Sequence, residues 1–215
     1  MVKALLLKDI YLLKNNWKGF MIPIVIGFMP VLFNILTVNF NEYAASIFKS
    51  IFIFAIFYTS YASIYYDDES KFLDYVRVTP AGTAEYVKSK YLLSLFVYLI
   101  LFLFLILMSL ADMDIISAIY TSLLSTAALS IFGFITLTLI FKFGVKNVTQ
   151  LIYILFFSIV LIYTFVNMKG FTTLNIIESI KNFNIYVTVS ILILSVLTFF
   201  SCQKLSIKIL EESKG

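Results

Sequence analysis

The chain alternates between long unbroken apolar runs and short polar interruptions, and one interruption is far longer than the others. Six runs reach about 20 residues, the length at which a helix rising about 1.5 Å per residue crosses a hydrocarbon core of roughly 30 Å. They fall at about Gly19 to Val38, Ala45 to Tyr66, Tyr91 to Ala111, Ile115 to Phe141, Val148 to Asn167 and Asn184 to Cys202. None alternates apolar and polar positions as a barrel strand must, so the backbone groups of each run have to be satisfied inside a helix. The pattern predicts an all-α integral membrane protein with six transmembrane helices, a single transmembrane domain over residues 1–215.

Residues 1–18 differ from the runs that follow. At about 100° per residue, Val2, Leu5, Leu6, Ile10, Leu12, Leu13 and Trp17 fall on one broad face, and Lys3, Lys8, Lys14, Asn15 and Lys18 fall on the other. Asp9 and Asn16 read as imperfections in that pattern. The expectation is an amphipathic interfacial helix lying in the headgroup boundary, with Trp17 at the depth of an aromatic belt. The segment is expected to precede a retained first span, because the apolar run is too long for a signal peptide and no small-x-small cleavage site follows.

The long interruption runs from Asp67 to Lys90, between the second and third spans. Acidic Asp67, Asp68 and Glu69 come first, then an apolar strip of Phe72, Leu73, Tyr75, Val76 and Val78. Thr79-Pro80 then breaks the chain, with Thr79 suited to an N-cap and Pro80 to the first helical position. A short polar helix with Glu85, Lys88 and Lys90 is expected to lead into the third span. The apolar strip calls for a cover, either lipid headgroups or a protein partner.

Composition agrees with the pattern: 61% of residues are hydrophobic, 13% are charged and the mean hydropathy is +1.00, outside the range of ordinary soluble domains. The placement of charge adds orientation. With a cytoplasmic N-terminus, 13 of the 16 Lys and Arg residues fall on the inner side and only Lys49, Lys169 and Lys181 fall on the outer side. Both termini are therefore expected in the cytoplasm. The net charge of +4 is read as this topology signal plus contact with anionic membrane lipid, and no nucleic acid is expected as a partner. A lone Cys202 permits no internal disulfide, and no Cys/His grouping suggests a metal.

The amphipathic start, the six spans and a segment with an acidic cluster, Leu73-Asp74-Tyr75, Thr79-Pro80 and Glu85-Tyr86-Val87 before Tyr91 together resemble the permease subunit of an ABC-2 type transporter. The resemblance covers the chain by topology, and its residue-level part runs from about Tyr66 to Tyr91. It implies a half-transporter in a bacterial cytoplasmic (inner or plasma) membrane, multi-pass. Its loop 67–90 would carry a coupling helix, at about Thr79 to Val87, that docks on a separate nucleotide-binding ATPase subunit. The candidate coupling residues are Asp67, Asp68, Glu69, Thr79, Pro80, Glu85, Tyr86 and Val87. Many members carry a basic residue just after the proline, whereas Ala81 to Ala84 is neutral here. Short bacterial permeases that export antimicrobial peptides or phenol-soluble modulins are similar in layout. A second permease, identical or related, would complete the path as a homodimer or heterodimer.

A P-loop needs two glycines five apart before Lys and Ser or Thr, and none of the seven glycines of this chain are so spaced. No catalytic residue and no cofactor are expected in this chain; ATP and Mg would be bound by the partner ATPase. The span interiors hold essentially no Asp, Glu, Arg or His, which argues against an ion-coupled carrier and against an intramembrane hydrolase. Asn34, Tyr58, Thr59 and Tyr61 are candidates to line a translocation path on the first two spans. Ala118, Ser122, Thr126, Ser130 and Gly133 form a small-residue stripe on the fourth span, read as a helix-packing face. The segment 168–183 matches the position of a re-entrant hairpin in the family or of an outer interfacial helix. The expected function is export of an amphipathic or lipophilic cargo, a small peptide ahead of other chemistries. The alternative is an ATP-independent accessory or immunity protein of the membrane.

Overall fold

The computed structural model describes residues 1–15, 62–78, 82–110, 114–152, 154 and 185–212. All regular structure among them is helical. Seven helical segments follow in chain order: α1 (Val2–Asn15), α2 (62–69), α3 (Phe72–Val78), α4 (Gly82–Ser109), α5 (Ile115–Phe143), α6 (145–152) and α7 (Ile185–Glu212). The first span, most of the second and fifth, and the segment 168–183 lie outside the described residues.

Among the described residues, three helices are long and apolar enough to cross a membrane, α4, α5 and α7 from Tyr186. α4 and α5 are 28 and 29 residues long. At about 1.5 Å per residue each is about 42 Å or slightly longer, some 12 Å more than a hydrocarbon core of roughly 30 Å. The surplus on α4 is its polar start, Gly82 to Lys90, the short polar helix expected to lead into the third span, and the two form one continuous helix. The last span was expected to end near Cys202, and its helix continues through the amphipathic stretch to Glu212, where Ser206 and Leu210 are buried and Lys208 and Glu212 stay exposed. Helix α5 opens on Asp114, whose carboxylate accepts from the Ser117 N–H at 3.3 Å. Hydrogen bonds from Ser117 hold that carboxyl below the usual carboxylate range. The helix closes on Gly144, which takes φ 82°, a region that side chains disfavour, and donates its N–H to Ile140 O at 2.9 Å.

Helices α4, α5 and α7 pack together around an aromatic centre. Phe134 of α5 lies 5.6 Å from the Tyr98 ring, 6.0 Å from Tyr91 and 5.2 Å from Phe199, mostly edge to face. The small-residue stripe explains how close the helices come. Ala118, Ser122, Ser130 and Gly133 are buried, and a Cβ at Gly133 would collide with the Tyr98 hydroxyl. Tyr91 OH meets Thr138 Oγ1 and Ser206 Oγ, each at 2.9 Å, and lies 3.3 Å from Phe134 O. One hydroxyl group therefore pins the start of α4 to the ends of α5 and α7. Farther along the bundle Ser130 and Ser195 are bonded at 2.7 Å. They border an apolar cavity of about 440 Å3 among the three helices, which Tyr98, Phe102, Thr126 and Phe199 also line.

Candidate functional site

The end of the bundle where α4 begins also receives α1, α2 and α3. Helix α2 ends as Ser70 N–H donates to Tyr66 O and Lys71 N–H to Asp68 O, and Lys71 takes a left-handed φ of 53°. The chain turns there and α3 starts at once. Phe72 and Leu73 pack on the buried cluster and Val76 is 2% exposed, so the chain's own α4, with Lys8 of α1 over the Phe72 ring, covers most of the apolar strip for which a lipid or protein cover was expected. Tyr75 and Val78 remain open, 64% and 81% exposed.

Behind α3 lies a compact group of charges. Lys90 of α4 is fully buried and donates to Asp9 Oδ1 of α1 at 2.8 Å, to Asp67 Oδ2 of α2 at 2.6 Å and to Ser63 Oγ at 3.1 Å. Lys8 of α1 pairs with Asp67 Oδ1 and lies 3.3 Å from Asp9 Oδ1. Tyr86 OH donates to Asp67 Oδ2 at 3.0 Å. Two ammonium groups thus meet two carboxylates, and the cluster closes with no net charge. Aromatic faces complete it: the Lys8 ammonium sits 3.9 Å from the Phe72 ring centre and that of Lys90 sits 5.0 Å from Tyr86. A buried ammonium or carboxylate is tolerated only with such partners, so each member depends on the others.

The sequence-predicted coupling residues divide. Asp67, Tyr86 and Val87 are 2%, 1% and 0% exposed and face the interior of the chain, while Asp68 and Glu69 are exposed and Glu85 is half-buried. Thr79 and Pro80, and the path candidates Asn34, Tyr58, Thr59 and Tyr61, lie outside the described residues. Lys8, Asp9, Ser63 and Lys90 were missed as members of one group. For Asp9 a signal was present. At about 100° per residue, the stripe Val2, Leu5, Leu6, Leu12 and Leu13 is centred on Asp9, so the carboxylate read as an imperfection occupies the middle of the inward face. A charge at the centre of an apolar stripe announces a buried partner, although its identity, 81 residues away, is not readable from the helix alone.

No curated protein and no solved structure matches the chain. A family model described as ABC-2 family transporter protein matches residues 4–211, which takes in α1, the charge cluster, the loop and all three long apolar helices. The chain belongs to the ABC-2 transporter family.

Proposed function

We propose that this chain is the permease subunit of an ABC exporter, moving an amphipathic or lipophilic cargo out of the cell with ATP hydrolysed by a separate nucleotide-binding subunit. The observation that carries the reading is the family match over residues 4–211. The structure adds support at the end of the bundle where α1, the start of α4 and the ends of α5 and α7 meet. Lys3, Lys14, Lys71, Lys88, Lys142, Lys204 and Lys208 belong to the segments that gather there, and the positive-inside rule makes it the cytoplasmic end. On this reading both termini are cytoplasmic, six spans form one permease domain, and the protein resides in a bacterial cytoplasmic membrane.

The ATPase then docks on the loop between the second and third spans. Asp68, Glu69 and Glu85 supply charge, Tyr75 and Val78 supply exposed apolar area in water, and Thr79-Pro80 joins the two parts. Asp67, Tyr86 and Val87 support that surface from behind. A second permease, identical or related, closes the path, along which Asn34, Tyr58, Thr59 and Tyr61 would face the cargo. ATP and Mg belong to the partner, and a small amphipathic peptide is the preferred cargo class.

The test is purification of the tagged full chain in mild detergent from its native host, with identification of co-purifying proteins and an ATPase assay. A stoichiometric P-loop subunit is expected, lost in a Tyr75→Ala, Val78→Asp variant or on scrambling of residues 79–85. Recovery of a folded chain without any ATPase, under conditions that preserve membrane complexes, overturns the reading and favours an ATP-independent accessory or immunity role.

A further inference from the structure

Helix α1 is held to the bundle in an unusual way for an amphipathic helix. Asp9 is its one fully buried residue. Of its apolar side chains, Leu5 packs against the buried cluster, whereas Leu7, Ile10 and Tyr11 are 46%, 47% and 65% exposed. Half-buried Val2, Leu6, Leu12 and Leu13 complete its inward face, and at the centre of that face the attachment is made by two charge pairs that reach far along the chain, Asp9 with Lys90 and Lys8 with Asp67. Side chains at 0–3% exposure, as three of these four are, escape salt screening, and a charge left there without its partner is strongly unfavourable. The same helix, with Lys3 and Lys14 beside a leucine stripe, also suits a lipid interface. Two resting places are open to it, and the charge pairs decide between them.

We propose that the Asp9–Lys90 and Lys8–Asp67 pairs form a latch that fixes α1 to the two chain ends bounding the loop, so that α1 and α3 move as one body and any displacement of the loop is handed to α1. Lys8, Asp9 and Lys90 are then positioning residues, acting through α1 and not through cargo or nucleotide. The latch itself stands independently of the exporter reading; its role in passing on motion rests on that reading.

The experiment uses the full chain in liposomes, in a Cys202→Ser background, with spin labels at the exposed positions Tyr11 and Tyr75 and pulsed dipolar distance measurement. The natural pairings give a narrow distance distribution. Asp9→Asn broadens it, and Lys8→Gln broadens it less. Distributions for Asp9→Asn and Lys8→Gln that match the unaltered chain overturn the latch. A second arm adds the co-purified ATPase and a non-hydrolysable ATP analogue, with a further label at Ile116 beyond the start of α5. The Tyr75-to-Ile116 distance shifts with nucleotide while the Tyr11-to-Tyr75 distance stays fixed. A Tyr11-to-Tyr75 distance that changes in step with nucleotide overturns the shared movement. If no ATPase associates, the exporter reading fails, and the first arm still decides the latch.

Discussion

Lys90 and Asp9 each bury a full charge at 0% exposure, and the energetics of such pairs are asymmetric. Loss of one partner strands the other, at a cost of about 3–5 kcal/mol, whereas replacing both with apolar groups of similar volume is often close to neutral. Lys90→Met is therefore expected to lower the thermal unfolding midpoint of the detergent-solubilised protein sharply. The double variant Asp9→Leu, Lys90→Met should recover much of that loss, with Lys8 and Asp67 still paired. Tyr91→Phe makes a useful contrast, because its hydroxyl is shared among neutral partners and polar contacts between membrane helices are individually weak; a cost of about 1 kcal/mol is expected in the same assay. Lys71 holds a left-handed φ with a β-carbon, which costs about 1–2 kcal/mol relative to the usual helical region. Lys71→Gly is accordingly expected to raise the unfolding midpoint by the equivalent of about 1 kcal/mol, net of the extra freedom glycine has when unfolded.

Among the helices, α4 and α5 approach closely because α5 offers small residues where α4 offers Tyr98. Gly133→Ala forces the Tyr98 ring aside and is expected to destabilise by about 1–3 kcal/mol, with Tyr98→Leu in the Gly133→Ala background restoring part of it. The small-residue stripe was readable from sequence because helical spacing and side-chain size are both local properties. The start of α5, which falls at the expected Ile115, was readable for the same reason. What escaped depended on tertiary neighbours. The stretch Gly82 to Lys90 looked like a loop helix because its side chains are polar, yet Tyr86, Ser89 and Lys90 are all buried against α1 and α2 and the helix runs through them without a break. Polarity signals exposure only when no partner of opposite charge is waiting, and here the partners lie on segments far away in sequence.

Taken as a whole, the described protein concentrates its charges at one end, apart from the rods that cross the membrane. Because the cluster there is internally neutral and mostly shielded from solvent, ionic strength should hardly loosen it. Hydrogen-exchange protection of the α1 amides is expected to persist from about 0.01 M to about 1 M salt, although the Debye length falls from roughly 30 Å to 3 Å over that range; protection that collapses with salt would show that α1 is held by screened surface attraction. The rods themselves have a mechanical side. From Thr83 to Ser109, α4 contains neither glycine nor proline, the residues at which helices bend or swivel. Such a rod resists torsion: a twist applied at Lys90 is expected to arrive at Ser109 with little lost to flexing, so an event at the charged end of the bundle can be felt at the opposite end without any relay of side chains between them.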